Sequence, residues 1–125
     1  MNIAYTAGPM RTFYENGGLY TWEYNIQVAK KAYDRAVMDG WYPISPHIMG
    51  ERDKDAELCT PEEYISRDLE FLRLVRPDII LLPRWMFSKG ATMEYELALE
   101  LGLDLYYYRE SADAIEPYTD KLVEL

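Results

Sequence analysis

Two carboxylates stand on helix faces that the apolar periodicity marks as buried. From Thr60 to Val75 the apolar stripe runs Ile65, Leu69, Leu72, and Asp68 lies three residues after the first and four before the last. From Gly90 to Gly102 the stripe is Ala91, Leu97, Ala98 and Leu101. Glu94 falls on it, three residues after Ala91 and four before Ala98, whereas Glu96 and Glu100 fall off it. An acid on an apolar face is costly unless it is paired or used. The plain alternative is an acid at the edge of its stripe that reaches solvent. Glu94 also reads as lying in the first turn of a helix that opens Ser88-Lys89-Gly90. There the free N–H groups and the helix dipole favour an ionised carboxylate and bind phosphate. An ionised, oriented carboxylate is what attack on a sugar carbon requires, with a second acid to serve the leaving group. For Ser88 the alternative is a simple N-cap.

The turn Gly8-Pro9-Met10-Arg11 follows the first apolar segment. Gly8 marks a close approach of the backbone, Pro9 sets the turn, and Arg11 offers a planar cation suited to phosphate or carboxylate. The turn is not a Walker A loop and lacks the Gly-x-Gly-x-x-Gly of dinucleotide binders. Trp85, Phe13 and Trp22 are candidate walls for a flat ligand, with core packing expected for at least two of them. His47, in a Ser-Pro-His turn, is expected to be a solvated loop histidine, though within reach of a ligand.

These residues need a frame, and strands alternating with helices provide it. Ile3 to Thr6 reads as a buried strand, Ala7 to about Tyr20 as a loop, and Trp22 to Asp39 as a helix with Ile26, Ala29, Tyr33, Ala36 and Val37 inward and Gly40 as its stop. Trp41 to Ser45 is a second strand, and Pro46 to Cys59 a charged loop. Thr60, Pro61 and Glu63 form an N-cap, first-turn proline and capping box for a helix that ends before Pro77. Asp78 to Pro83 is a continuous apolar run, as in a central strand covered on both faces. Gly90 to Gly102 is a helix, Leu103 to Tyr108 a strand, and Ser111 to Leu125 a last helical stretch broken near Pro117. The expectation is a single α/β domain over residues 1–125. Its doubly wound parallel sheet, flavodoxin-like or Rossmann-like, has four to five strands in the order 2-1-3-4. The ligand crevice then lies outside the carboxyl ends of the first and third strands, lined by the loops that start at Ala7 and Arg84.

Composition narrows the partners. With 13 Lys and Arg against 22 Asp and Glu, the net charge is −9, which argues against a nucleic-acid polymer or an anionic membrane as partner. It leaves room for a small anion held by a few local donors. Apolar residues at 49% and charged residues at 28% belong to an ordinary globular protein. A lone Cys59 and a lone His47 exclude an intrachain disulfide and Cys- or His-pair metal motifs, and no cofactor is implied. No apolar run approaches the roughly 18 residues of a membrane span. The amino terminus has no signal-peptide pattern, so a cytoplasmic location is the expectation.

Taken together, Tyr-Thr-Ala-Gly-Pro-Met-Arg from Tyr5, Trp-x-x-Asn from Trp22, Arg-Asp-Leu at Asp68 and Ser-x-Gly-Ala-x-x-Glu from Ser88 resemble the nucleoside 2-deoxyribosyltransferase superfamily. The resemblance covers about residues 3 to 107. It is closest to a small bacterial and phage branch of unknown function that carries the Gly-Pro-Met turn and Leu-Pro-x-Trp-x-x-Ser-x-Gly-Ala-x-x-Glu, and it is similar to the nucleoside 5′-monophosphate N-glycosidases. It implies Glu94 as the nucleophile at C1′, Asp68 as the acid that handles the leaving base, and Tyr5 as the hydrogen-bond partner of the nucleophile. Gly8, Pro9, Met10, Arg11, Trp85, Ser88 and Gly90 are the implied substrate contacts. Ser88 departs from the transferases, which tend to carry Asp there for the free 5′-hydroxyl; a hydroxyl beside Arg11 suits a 5′-phosphate instead. The implied activity is hydrolysis of the N-glycosidic bond of a (deoxy)nucleoside 5′-monophosphate, by a homodimer or larger homo-oligomer. Base exchange by a 2-deoxyribosyltransferase and a non-catalytic nucleotide sensor are the alternatives. A phospho-receiver is set aside, because Thr6-Ala7-Gly8 and Pro83-Arg84 stand where its acids would be.

Overall fold

The most apolar run in the chain lies at the centre of the sheet. In a computed structural model, which describes residues 2–53 and 60–119, β5 (Asp78–Leu81) pairs in parallel with β1 (Asn2–Ala7) on one side and with β6 (Leu105–Arg109) on the other. Beyond β1 lies β4 (Trp41–Ile44), also parallel. The four parallel strands therefore stand in the expected order 2-1-3-4. A fifth strand, β7 (Ala114–Pro117), runs antiparallel along β6.

Residues of β1 and of the run from β5 to Leu82 feed two separate apolar clusters, one on each face of the sheet, which is why neither strand shows a polar face along its length. Ala4, Ile80 and Leu82 face α1 (Trp22–Met38). Tyr5, Ala7, Ile79 and Leu81 face the pair α3 (Pro61–Val75) and α4 (Lys89–Leu101). The capping box on α3 is present: the Thr60 hydroxyl accepts from Glu63 N at 3.2 Å, and Glu63 accepts from Thr60 N at 3.5 Å. Gly102 ends α4 in the left-handed conformation at φ 70°.

The structure corrects four local expectations. The loop from Ala7 to Tyr20 contains a hairpin, β2 (Phe13–Glu15) and β3 (Gly18–Tyr20), joined by Asn16-Gly17 at φ 50° and 76°. Two successive positive φ values form the two-residue turn that matches strand twist. Pro46 to Asp53 is a helix, α2, rather than loop, with proline at its first position and Ser45 below it accepting from Ile48 N at 3.4 Å; Cys59 and residues 54–59 lie outside the described residues. After β6 the chain makes a 3-10 turn and β7 instead of the helix expected from Ser111. Asp113 takes the left-handed turn position at φ 46°, and Pro117 cannot donate within a helix. Residues 120–125 of that expected helix lie outside the described residues. On α1 the buried stripe is Ile26, Val28, Ala29, Ala32 and Ala36, with Val37 half exposed at 51%. Small side chains let α1 approach the sheet closely.

Among the described residues no helix is long and apolar enough to cross a membrane.

Candidate active site

Because side chains alternate along a strand, the one-residue step from Ala4 to Tyr5 turns Tyr5 toward α3 and α4, where it is almost wholly buried. Its hydroxyl donates to Glu94 Oε2 and is also hydrogen-bonded to the Asp68 side chain. Tyr5, Asp68 and Glu94, from three different elements, therefore form one cluster. Glu94 is 7% exposed, as the stripe argument requires, and Asp68 is half-buried.

The electrostatics differ from the expectation. Glu94 is the sixth residue after the N-cap Ser88, and the first turn of α4 holds no acid. The dipole weakens within one turn, so it does not keep Glu94 charged. Burial dominates and pushes its carboxyl up to about 8; the Tyr5 hydrogen bond opposes the rise and the Asp68 charge adds to it. Burial likewise raises Asp68 to about 6, against the Tyr5 hydrogen bond and the charge of Arg67. Tyr5 itself is raised, first by burial and then by the two acids. One hydroxyl proton cannot serve two carboxylates at once, so the cluster is best satisfied when one acid carries a proton.

The Gly8-Pro9-Met10-Arg11 turn leaves the carboxyl end of β1. A Cβ added at Gly8 would meet Leu82 Cβ at 2.6 Å, so the close approach expected there is to the chain leaving β5. His47, expected in solvent, is 1% exposed and bonds Pro9 O through Nε2 at 2.6 Å. A carbonyl only accepts, so Nε2 carries the proton, and burial lowers the ring's affinity for a second one. The buried Asn25 donates through Nδ2 to Arg11 O at 3.0 Å and to Met10 O at 3.5 Å. Pro9 is buried, Met10 half-buried, and the Arg11 side chain exposed.

The family model described as Domain of unknown function (DUF4406) matches residues 3–107. The chain belongs to the DUF4406 family. No curated protein and no solved structure matches it. The matched span of this DUF4406 chain takes in Tyr5, the Gly8–Arg11 turn, Asp68 and Glu94, and stops before β7.

The remaining expected contacts divide. Ser88 caps α4, accepting from Ala91 N at 3.2 Å, with its own hydroxyl proton left to donate. Gly90 is not dictated by packing, since an added Cβ would find only ordinary contact with Ile65 at 3.7 Å. Trp85 is core rather than open wall: it is 7% exposed, and its ring lies 4.5 Å from Tyr95 and 6.2 Å from Tyr118. Phe13 stacks on Tyr20 at 5.1 Å and reaches Phe87 at 5.9 Å, which ties the hairpin to the 3-10 turn Trp85–Phe87 that leads into α4.

Arg84 was not singled out as a site residue. Its guanidinium lies 4.4 Å from the Tyr20 ring centre, over the ring, and donates to Tyr24 Oη at 3.3 Å and Glu110 at 3.4 Å. Its backbone is left-handed at φ 66°. The only sequence signal was its place directly after the central strand, where crevice loops begin.

An open cleft of about 310 Å³ at the other end of the sheet, lined by Asn2, Asp39, Gly40, Trp41, Asp78 and Tyr106, is remote from this cluster. Asp78 there is occupied by Trp41 Nε1 at 2.9 Å. Among the described residues no three His, Cys, Asp or Glu side chains converge to hold a metal ion.

Proposed function

We propose that this chain hydrolyses the N-glycosidic bond of a (deoxy)nucleoside 5′-monophosphate through a glycosyl-Glu94 intermediate. The observation that carries the reading is the pair of carboxylates, buried Glu94 and half-buried Asp68, joined through the hydroxyl of Tyr5 on β1. With one proton on the pair Glu94 holds it more tightly than Asp68, so the reactive arrangement, Glu94 ionised and Asp68 protonated, is the less populated of the two one-proton forms, and Tyr5, touching both, is the route by which the proton moves. The Glu94 carboxylate attacks C1′, the C1′–N bond breaks, and the departing base takes the Asp68 proton. Water then attacks C1′, its proton passes to Asp68, and Glu94 leaves as carboxylate with the sugar phosphate released. Ser88 and Arg11 serve the 5′-phosphate, and the resemblance implies a homodimer or larger homo-oligomer.

A panel of nucleoside monophosphates followed by chromatography tests this, with free base and sugar phosphate as the expected products. Glu94→Gln should abolish release, while Glu96→Gln, on the exposed face of α4, should leave it nearly unchanged. A 2-fluoro-2-deoxy analogue should trap an adduct on the peptide containing Glu94. An adduct on Asp68 would reverse the two roles, and base exchange only in the presence of an acceptor base would make the chain a transferase.

A further inference from the structure

Three successive carbonyls of the turn after β1 are held by buried side chains. Pro9 O meets His47 Nε2 at 2.6 Å, and Asn25 Nδ2 meets Arg11 O at 3.0 Å and Met10 O at 3.5 Å. The donors come from α2 and α1, and both are almost wholly buried. Thr12 Oγ1 accepts from Trp22 N at 3.0 Å, fastening the far end of the turn to the start of α1.

A trans peptide points its C=O and N–H in opposite directions. Drawing the carbonyls of Pro9, Met10 and Arg11 toward α1 and α2 therefore turns the amides of Met10, Arg11 and Thr12 away from those two helices. Among the described residues these three amides donate to no turn, loop or cap carbonyl. Successive unpaired amides in a turn make a concavity that takes an anion.

We infer that His47 and Asn25 are positioning residues, which hold the Gly8–Arg11 turn with its amides presented to the phosphate of the ligand. The inference rests on the reading of this crevice as a site for a phosphate-bearing ligand, but not on any bond being cleaved there. His47 suits the task because a neutral imidazole tolerates full burial and donates along one direction. The side-chain amide of Asn25 spans two neighbouring carbonyls, which an aspartate would repel.

The test is a titration of the intact chain with inorganic phosphate, read by amide chemical shifts, alongside steady-state kinetics on a nucleoside monophosphate. The amides of Met10, Arg11 and Thr12 should move with phosphate. His47→Phe removes the donor at similar size and should weaken phosphate binding about tenfold or more. His47→Gln, which keeps an N–H donor, should stay within about threefold of wild type. Asn25→Asp provides a second route if His47→Phe fails to fold, with a loss of similar size expected. In kinetics the loss should fall on KM for the monophosphate, with kcat changed far less. Amides at 10–12 that ignore phosphate, or a folded His47→Phe chain that binds phosphate like wild type, would overturn the inference even if the chain cleaves nucleotides. Phosphate-driven shifts without any cleavage would sustain it and sink only the proposed reaction.

Discussion

Replacing Glu94 by Gln should make the protein more stable, by an amount that grows with pH. Burial holds the Glu94 carboxyl at about 8 against an ordinary value of 4.5, so the folded chain keeps a proton that the unfolded chain gives up across that interval. A group whose pKa is raised on folding contributes its stability fully below the unfolded value, and the contribution is lost as pH rises toward the folded one. Each pH unit inside the window costs the wild type about 1.4 kcal/mol, so between pH 5 and 7.5 it should lose roughly 3 kcal/mol that the Gln variant keeps. Gln matches the shape of Glu and its carbonyl still accepts from Tyr5, so the two proteins should nearly coincide at pH 5. Guanidinium unfolding followed by tryptophan fluorescence at pH 5, 6.25 and 7.5 measures the gap. A gap that stays constant across these pH values, or that narrows as pH rises, would show that Glu94 ionises in the fold without penalty, and the electrostatic account of the cluster would fail.

Three further outcomes follow from the site. Activity needs one proton on the pair, and both acids are protonated below about 6 and both ionised above about 8; kcat/KM should be bell-shaped with flanks near those values, and a flat profile from pH 5 to 9 would reject the shared proton. Arg11 is exposed at the rim, so Arg11→Ala should cost monophosphate substrates about tenfold in kcat/KM, the low end for a charged hydrogen bond, and leave nucleosides nearly untouched; equal losses on both would remove Arg11 from phosphate binding. Gly8→Ala forces a Cβ to 2.6 Å from Leu82 and should destabilise by about 1–3 kcal/mol, seen calorimetrically as a lower Tm, whereas an unchanged Tm would mean the turn yields freely.

What the sequence revealed depended on how far apart the interacting residues lie. Asp68 and Glu94 could be read from their own helices because a stripe of period 3.6 makes a misplaced acid visible within a few residues. The parallel sheet followed from the alternation of elements, a property of the whole chain, whereas the order 2-1-3-4 was a choice among the orders that alternation allows. Tyr5 is different: Ile3 to Thr6 is apolar without alternation, so nothing local says which face its ring takes, and only the resemblance assigned it to Glu94. On α1 the pattern shows Ile26, Ala29 and Ala36 as inward, but the larger Tyr33 and Val37 take the place of Val28 and Ala32, on which the helix also rests. The hairpin had a sound local signal in Asn16-Gly17, but strands of three residues are too short to show a period of two. His47 and Asn25 were hidden for a simpler reason. Their partners are backbone carbonyls, which carry no sequence identity, 38 residues away for His47 and 14 or 15 for Asn25.

The two outer strands, β4 and β7, are four residues long, and each contains a proline, Pro43 and Pro117. A border of unpaired backbone groups is a template on which another chain can add a strand, and short borders interrupted by proline are poor templates. Growth of the sheet from one molecule into the next is thereby discouraged on both sides. Fibrillar stacking of folded molecules is disfavoured for the same reason, and among the described residues the hairpin, where Tyr14 and Leu19 are exposed, offers apolar surface that the sheet borders do not.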